Sequence, residues 1–331
     1  MTGVPAPPRG PRRALGSCTA PAVGFGAMVL AGAYGGIDDD GASRALAAAV
    51  DAGCTFVDTS DAYGRNEEQI GRFLVGRDRA EIQLSTKFGM RIPEGEPAHA
   101  LATPWSGGRL RVNAEPRLVR GYLERSLARL GTDHVDVYSP HFPDPSVPIE
   151  ETVGAMVPLQ EAGLVRHLGL SNPSAEDLAR AQTVARIDAV QVEWSMWHPI
   201  DRALLARCDA TGVGVVAWSP LGRGFLTGTL TEVREGDFRA HVERLTGTNL
   251  TTNNERYAPI QGLAAEIGVT PAQLALAWLL HQRATVVPIP GSRTPAHIRE
   301  NAAAADVRLD GVLRARVDAA LGAFVPAGEV S

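Results

Sequence analysis

Lysine is almost absent from this chain of 331 residues. Lys87 is the single example, and the remainder of the 32 lysine and arginine residues are all arginine. Arginine replaces lysine readily on a solvated surface, but only lysine carries a compact amine whose pKa a protein can shift far enough for catalysis. We therefore expect Lys87 to serve chemistry; the alternative is a surface lysine that escaped replacement by chance.

Cysteine is also scarce. Cys18, Cys54 and Cys208 are far apart and lack the spacing of metal ligands, so the sequence suggests neither a zinc site nor a disulfide framework. We predict no bound metal and a reducing, cytoplasmic compartment. The apolar stretch after Arg12 and Arg13 could be misread as an export signal, but it is rich in glycine, has no leucine run and is better explained as a first strand.

The chain has no block of basic residues, and its net charge is −5. This balance argues against nucleic acid or an anionic membrane as a partner and favours a small molecule. No Gly-x-Gly-x-x-Gly turn follows a first strand, which argues against a Rossmann dehydrogenase. These features leave the oligomeric state open.

Strand and helix patterns alternate eight times, which predicts an α/β fold of the (β/α)8 TIM-barrel type. The strands are predicted over residues 23–28, 55–59, 82–88, 135–141, 165–171, 189–194, 214–219 and 286–290. The run Thr270-Pro271-Ala272-Gln273 is a capping box that predicts a helix start. A single barrel domain over residues 1–331 is expected.

Three segments depart from this regular alternation. Residues 1–20 are predicted to be a flexible N-terminal segment. The connections 89–115 and 222–254 are unusually long and leave the carboxyl ends of strands. We expect both to lie over the barrel mouth and to shape the pocket.

Polar residues stand at three of the predicted strand ends, where active sites of parallel barrels are built. Asp58 ends the second strand and Tyr63 follows it, while Lys87 ends the third and His141 the fourth. Asp58 can hold Lys87 charged, Lys87 can lower the pKa of the Tyr63 phenol from about 10, and His141 can donate a second hydrogen bond. Such a group polarises a carbonyl and delivers a proton. Taken singly, Asp58 could be a helix cap, Tyr63 a packing residue and His141 a core histidine.

With these residues in place, the chain resembles the aldo-keto reductases over nearly its whole length. In that family an Asp, Tyr, Lys and His tetrad occupies these strand ends, which implies catalytic roles for Asp58, Tyr63, Lys87 and His141. The resemblance also implies NADPH as cofactor. Its contacts would come from the following residues: Gly26, Met28, Ser171, Asn172, Gln191, Trp218, Ser219, Leu221, Arg223, Gly291, Ser292, Arg293, His297, Glu300 and Asn301.

The resemblance assigns these contacts to parts of the cofactor. Ser171, Asn172 and Gln191 match residues that bind the nicotinamide carboxamide, and Trp218 stands where the family usually has a tyrosine stacked on the ring. The run 217–228 is similar to the branch that includes bacterial and yeast aldo-keto reductases and potassium-channel β subunits, and it implies a loop over the pyrophosphate.

The run 291–293, with Glu300 and Asn301, resembles the site for the adenosine 2′-phosphate and the adenine. His297 stands where many members have a second arginine, so NADPH is expected to be preferred over NADH only modestly.

The resulting expectation is an NADPH-dependent reductase that converts an aldehyde or ketone to an alcohol, with Tyr63 as general acid. The substrate pocket is expected to use aromatic residues, several of which could instead belong to the core: Tyr34, Phe88, Trp105, Phe142, Trp194 and Trp197. Two other functions stay open. One is an NADPH-binding regulatory or redox-sensing subunit with slow turnover, and the other is an aldolase that forms a Schiff base on Lys87.

Overall fold

The computed structural model describes residues 10–32, 35–102, 110–234 and 236–328. Eight parallel strands form the central sheet: β3 (Phe25–Gly26), β4 (Phe56–Asp58), β5 (Gln83–Phe88), β8 (Val135–Pro140), β9 (Val165–Ser171), β10 (Ala189–Glu193), β11 (Gly214–Trp218) and β12 (Val286–Pro288). They are paired in chain order, each strand lying beside the next. Each observed strand falls within one of the eight predicted ranges, so the (β/α)8 prediction is confirmed.

The first and last strands close the barrel through backbone hydrogen bonds. The N–H of Gly24 donates to the carbonyl of Pro288 at 2.9 Å, and the N–H of Gly26 donates to that of Pro290 at 3.4 Å. A Cβ atom at Gly26 would lie 2.6 Å from the carbonyl oxygen of Ile289. Glycine at this position therefore lets the two strand ends approach closely enough to close the barrel.

Helices separate the strands and cover the outside of the barrel. They are α1 (Asp39–Asp51), α2 (Asn66–Leu74), α3 (Pro116–Leu130), α4 (Ile149–Glu161), α5 (Ala175–Ala181), α6 (Arg202–Thr211), α7 (Gly247–Glu266), α8 (Pro271–Gln282), α9 (Pro295–Ala303) and α10 (Gly311–Ala323). The predicted capping box starts α8, where the Thr270 hydroxyl accepts from the N–H of Gln273. Among the described helices none is long and apolar enough to cross a membrane alone; α7 and α8, bent by 86°, pass that test only as a pair.

The N-terminal segment differs from its prediction. Residues 12–21 form an antiparallel hairpin of β1 (Arg12–Leu15) and β2 (Cys18–Pro21). Leu15 is fully buried in a cluster with inward-facing side chains of the barrel strands, including Val216 and Val287. The prediction of flexibility is therefore wrong for residues 12–20, because burying these apolar side chains holds the hairpin against the barrel. Residues 1–9 lie outside the described part.

Both long connections contain regular structure. The first carries a hairpin of β6 (His99–Leu101) and β7 (Leu110–Val112), and His99 Nδ1 lies 2.7 Å from the Asp144 carboxylate that follows β8. The second contains short 3₁₀ turns at 222–227, 238–241 and 243–245 before α7. We propose that both segments cover the mouth; for the first, the supporting observation is that Leu101 lines a cavity of about 760 Å³ together with Phe142 and Asn172.

Candidate active site

Side chains inside the barrel form an apolar layer and a polar layer. Successive residues of a strand point to opposite faces, so residues two apart share a face. Phe56 and Val137 belong to the apolar layer, and two positions further along their strands Asp58 and Ser139 are buried polar residues. The carboxyl end of the barrel therefore collects polar groups above an apolar floor.

A buried ion pair joins Asp58 and Lys87. The ammonium Nζ of Lys87 donates to Asp58 Oδ2 at 2.7 Å and to the carbonyl oxygen of Thr59 at 2.6 Å. Lys87 is 1% exposed and Asp58 is 3% exposed. The other oxygen of Asp58 accepts from Ser85 Oγ at 3.0 Å and from Gln191 Nε2 at 2.7 Å. The carboxylate thus has donors on both oxygens, which a buried charge requires.

Tyr63 lies beside this pair. The ammonium of Lys87 is 5.2 Å from the centre of the Tyr63 ring. Burial lowers the pKa of Lys87, but the charge of Asp58 and the phenol of Tyr63 more than offset it, so the net shift is upward. Lys87 is therefore held as an ammonium ion.

The pKa of Tyr63 differs from its prediction. Burial raises the pKa of the phenol, and Asp58 raises it further, whereas Lys87 lowers it. The net pKa lies above the ordinary value of about 10, so the expectation of a lowered pKa is wrong. Lys87 acts in the predicted direction, but loss of hydration outweighs it.

His141 completes the group of four. Its ring meets the Tyr63 ring edge to face, with centroids 5.6 Å apart, and stacks on Phe142 with centroids 5.3 Å apart. Burial, followed by the charge of Lys87, holds the pKa of His141 well below its usual 6.5. The imidazole is therefore neutral near neutral pH and carries a hydrogen on one ring nitrogen only.

Backbone strain marks the segments predicted to bind the cofactor. Among the described residues, three that are not glycine have a positive φ: Asn172 at 56°, Ser219 at 48° and Arg223 at 57°. All three follow the carboxyl ends of β9 and β11 and were predicted from sequence as cofactor contacts. Left-handed backbone outside glycine costs free energy and concentrates at ligand sites.

The predicted nicotinamide residues contact one another. The indole N–H of Trp218 donates to Asn172 Oδ1 at 3.0 Å, and Asn172 Nδ2 donates to the carbonyl of His141 at 3.1 Å and to Ser171 Oγ at 3.1 Å. Gln191 donates to Asp58, so it connects the predicted cofactor residues with the ion pair.

Most of the predicted cofactor contacts are half-buried. They include Gly26, Met28, Asn172, Trp218, Ser219, Leu221, Arg223, Gly291, Ser292, Arg293 and Glu300. Among the other predicted contacts, Ser171, Gln191 and Asn301 are buried and His297 is exposed.

The predicted phosphate residues precede helix α9. Arg293 donates through Nη1 to the carbonyls of Gly35 at 2.8 Å and Gly36 at 3.0 Å. The hydroxyl of Ser292 accepts from the N–H of Thr294 at 3.1 Å, at the start of the helix. A guanidinium beside a helix N-terminus suits a phosphate group.

The substrate-pocket predictions have mixed outcomes. The prediction that Phe88 lines the substrate pocket is wrong. Ser85 and Lys87 point into the barrel, so Phe88, next to Lys87 in the strand, points outward. There it is fully buried against Tyr122 and Tyr138. Phe142 lines the 760 Å³ cavity beside the barrel mouth. Tyr34 and Trp105 lie outside the described residues.

The two tryptophans named with them are buried as well. Trp194 belongs to the main core cluster, and Trp197 packs on Phe225 with ring centroids 3.9 Å apart. Both serve packing.

Two polar residues of the site escaped the sequence analysis. Ser60 Oγ lies 2.9 Å from His141 Nδ1, and Asp61 follows it with a carboxyl group that is 2% exposed. The sequence feature that could have identified them is their position in the chain between Asp58 and Tyr63.

The chain is similar to known proteins over most of its length. The model of the aldo/keto reductase family matches residues 22–321. The NADP(+) aldo-keto reductase yakc of Schizosaccharomyces pombe is 40% identical over 311 residues, covering 90% of this chain and 88% of that protein. The Glycine max protein named "Probable aldo-keto reductase 1" is 39% identical over 295 residues, covering 87% and 81%. The structure of a glycerol dehydrogenase from Gluconobacter oxydans superposes with a TM-score of 0.81 at 26% identity, covering 96% and 97%.

Proposed function

This chain belongs to the aldo/keto reductase family of oxidoreductases, and from that premise we propose that it reduces the carbonyl of an aldehyde or ketone to an alcohol with NADPH. The observation that carries the proposal is the buried Lys87–Asp58 ion pair, with its ammonium 5.2 Å from the ring of Tyr63. A cation fixed beside a phenol stabilises the phenolate that remains after proton donation.

The residues divide the proton chemistry between them. Bound NADPH supplies the hydride. Tyr63 donates a proton to the carbonyl oxygen, on which negative charge develops, and a neutral His141 donates a hydrogen bond to the same oxygen. Because the pKa of Tyr63 is raised, the phenol keeps its proton until a more basic alkoxide forms. These donors stabilise the transition state more than the ground state.

The chemistry of the predicted contact residues fits the cofactor. The left-handed backbone at Asn172, Ser219 and Arg223 costs free energy, and contacts with a bound ligand at these positions would explain why it is kept. The Oε1 atom of Gln191 is left to accept from a carboxamide, since Nε2 is held by Asp58. Arg293 and Ser292 would hold the 2′-phosphate. An exposed His297 adds little there, consistent with a modest preference for NADPH.

A carbonyl screen tests this proposal. Purified protein is mixed with NADPH and a panel of aldehydes and ketones while NADPH absorbance is followed, and the Tyr63→Phe variant serves as the matched control. Turnover of at least one compound by the wild type only is expected. Tight NADPH binding without turnover of any compound would instead support the regulatory subunit.

The aldolase alternative conflicts with the lysine environment. A Schiff-base lysine must be a free amine to attack a carbonyl. The raised pKa of Lys87 and its bond to Asp58 keep it charged. Borohydride treatment with substrate is expected to trap no adduct on Lys87.

We also propose that the chain acts as one domain in the cytoplasm. Cys18, Cys54 and Cys208 are buried free thiols, a state that a reducing compartment preserves. Cell fractionation tests the location, and limited proteolysis tests whether the chain is one domain.

A further inference from the structure

Ser60 and Asp61 separate Asp58 from Tyr63 in the chain, and the proposed mechanism gives neither a role. The hydroxyl oxygen of Ser60 lies 2.9 Å from His141 Nδ1 and 3.3 Å from Asp61 Oδ1. The backbone N–H of Ala62 donates to the same oxygen at 3.1 Å. One hydroxyl group therefore connects a buried carboxyl group with a ring nitrogen of His141.

Counting hydrogen bonds at Ser60 restricts the possible arrangements. A serine hydroxyl donates one hydrogen and accepts through two lone pairs. The N–H of Ala62 occupies one lone pair. When the Ser60 hydroxyl donates its hydrogen to Asp61, His141 donates to the second lone pair of Ser60. When Asp61 instead donates to Ser60, the Ser60 hydroxyl donates its hydrogen to His141. The carbonyl oxygen of Lys87 is a poorer acceptor, since it lies 3.5 Å away.

The surroundings of Asp61 allow both of its protonation states. Its Oδ2 has no hydrogen-bond partner within the described part of the chain. Burial, followed by the charge of Glu67, raises the pKa of Asp61 to about 7, against the attraction of Arg129 and the hydrogen bonds of Ser60 and of the Arg91 backbone. The titratable and charged groups that face it are Glu67 on α2, Tyr122, Arg125 and Arg129 on α3, Arg91 after β5, Tyr138 on β8 and Tyr63.

Asp61 borders a second cavity, separate from the one that Phe142 lines. Asp61 lines a cavity of about 210 Å³ together with Tyr122, whose hydroxyl likewise has no partner among the residues described, and with Arg129. Arg91 and Arg125 line the same cavity and are exposed, so the cavity opens to solvent. A polar cavity of this size holds water, which can exchange protons with Asp61.

We propose that Asp61, acting through Ser60, sets which ring nitrogen of His141 carries the hydrogen, and thereby whether His141 presents a donor or an acceptor to the substrate oxygen. Both are positioning residues. The consequence for catalysis rests on the proposed function, whereas the tautomer of His141 is a property of the free enzyme.

Two states follow from the hydrogen-bond count. When Asp61 is ionised, Ser60 donates to it and accepts from Nδ1–H of His141, so Nε2 has a bare lone pair. When Asp61 is protonated, it donates to Ser60, Ser60 donates to Nδ1, and the hydrogen of His141 is on Nε2. Protonation occurs as the pH falls through about 7. A hydrogen on Nε2 assists carbonyl reduction, and a bare Nε2 accepts from an alcohol in the reverse reaction.

Nitrogen-15 NMR of the histidine-labelled full chain, without substrate, tests the tautomer directly. Between about pH 5.5 and 8.5, the pyrrole-type and pyridine-type shifts of His141 are expected to exchange between its two nitrogens. Ser60→Ala should abolish the exchange, and Ser60→Thr should keep it because threonine retains the hydroxyl. Glu67→Gln should move the midpoint to lower pH, since it removes a charge that raises the pKa of Asp61.

Kinetics provide a second readout. With NADPH and 4-nitrobenzaldehyde, an activated aromatic aldehyde, kcat for reduction should fall by about tenfold or more as the pH rises across this range, because the oxygen on which negative charge develops loses one hydrogen bond, while KM changes little. The fall should vanish in Asp61→Asn, whose amide does not titrate. Tyr63 and His141 do not explain a transition near neutral pH, because their pKa values lie above 10 and well below 6.5.

The outcomes separate this inference from the proposed function. A His141 tautomer that is constant across the pH range, or one that still exchanges in Ser60→Ala, overturns the inference even if the enzyme reduces carbonyls. A tautomer exchange in a protein that reduces no carbonyl supports the inference and refutes the proposed function.

Discussion

The indole N–H of Trp218 donates a 3.0 Å hydrogen bond to the side-chain oxygen of Asn172. This contact joins the ends of two barrel strands that are 46 residues apart in sequence. It also fixes the plane of the indole, since the donor nitrogen has one direction in which to donate. Asn172 has a left-handed backbone, so the bond helps to hold a strained residue in place.

Replacing Trp218 separates the contributions of its N–H group and of its flat ring to NADPH binding. Trp218→Phe keeps a flat ring but loses the N–H, so the NADPH dissociation constant should rise by up to about tenfold, as expected for one neutral hydrogen bond. Trp218→Leu also loses ring stacking and should bind still more weakly. Fluorescence titration with NADPH measures both, and equal losses in the two variants would show that ring stacking contributes nothing.

Removing the phenol of Tyr63 should stop turnover but leave cofactor binding intact. Tyr63→Phe lacks the proton donor, and general acid catalysis contributes a factor on the order of 10² to 10⁴ in rate. Steady-state kinetics on a substrate whose chemical step is slow, with NADPH titration as control, test this. Near wild-type turnover in the variant would mean that another group donates the proton.

Lys87→Arg should be nearly inactive although arginine serves as the cation elsewhere in this chain. The planar guanidinium is too large for the position between Asp58 and Thr59 that the ammonium occupies. Because Lys87 is 1% exposed, the variant should also lose stability.

The matched variant Lys87→Met keeps a similar length but leaves the Asp58 charge buried and unpaired. Loss of one partner of a buried pair costs about 3 to 5 kcal/mol. Thermal melts and turnover should be measured together. An active Lys87→Arg enzyme with unchanged stability would show that the lysine was retained by chance.

Arg293→Ala should weaken NADPH binding far more than NADH binding. Only NADPH carries the 2′-phosphate, and a hydrogen bond to a charged group contributes roughly 1.5 to 3 kcal/mol. Arg299→Ala, which removes an exposed arginine from the helix α9 that follows Arg293, is the control. Calorimetric titration with both cofactors measures the difference, and equal losses would place Arg293 away from the phosphate.

The stability of the fold should depend on pH through His167, which lies beside the N-terminal hairpin. A hydrogen bond from His167 to Asp188, with a further contribution from Cys18, raises the pKa of His167 to about 9. The pKa is higher in the folded than in the unfolded state, whose value is about 6.5. The pair therefore stabilises the fold fully below pH 6.5 and stops doing so as the pH rises through about 9.

Thermal melts of His167→Gln and the wild type test this dependence. The difference in melting temperature should be largest near pH 6 and should shrink by pH 10. His241→Gln, at an exposed histidine, is the control. A difference that does not change with pH would mean that His167 contributes by packing alone.

The sequence alone determined the architecture and the four principal side chains. Eight alternating strand and helix patterns specify a parallel barrel, because each strand needs a helix to return the chain in the same direction. Strand ends of such a barrel meet at one rim, so Asp58, Lys87 and His141 could be brought together without coordinates. Strand alternation could also have excluded Phe88, since two adjacent residues cannot both face the barrel interior.

The proton affinities of these groups depend on the folded structure. The phenol of Tyr63 has a raised pKa because burial outweighs Lys87, and the two effects cannot be ranked without knowing how much solvent remains. The link from Asp61 through Ser60 to His141 depends on atoms 81 residues apart that approach to 2.9 Å. The pattern of residues sets which groups reach the barrel mouth, whereas distance and hydration, which exist only in the folded chain, set their proton affinities.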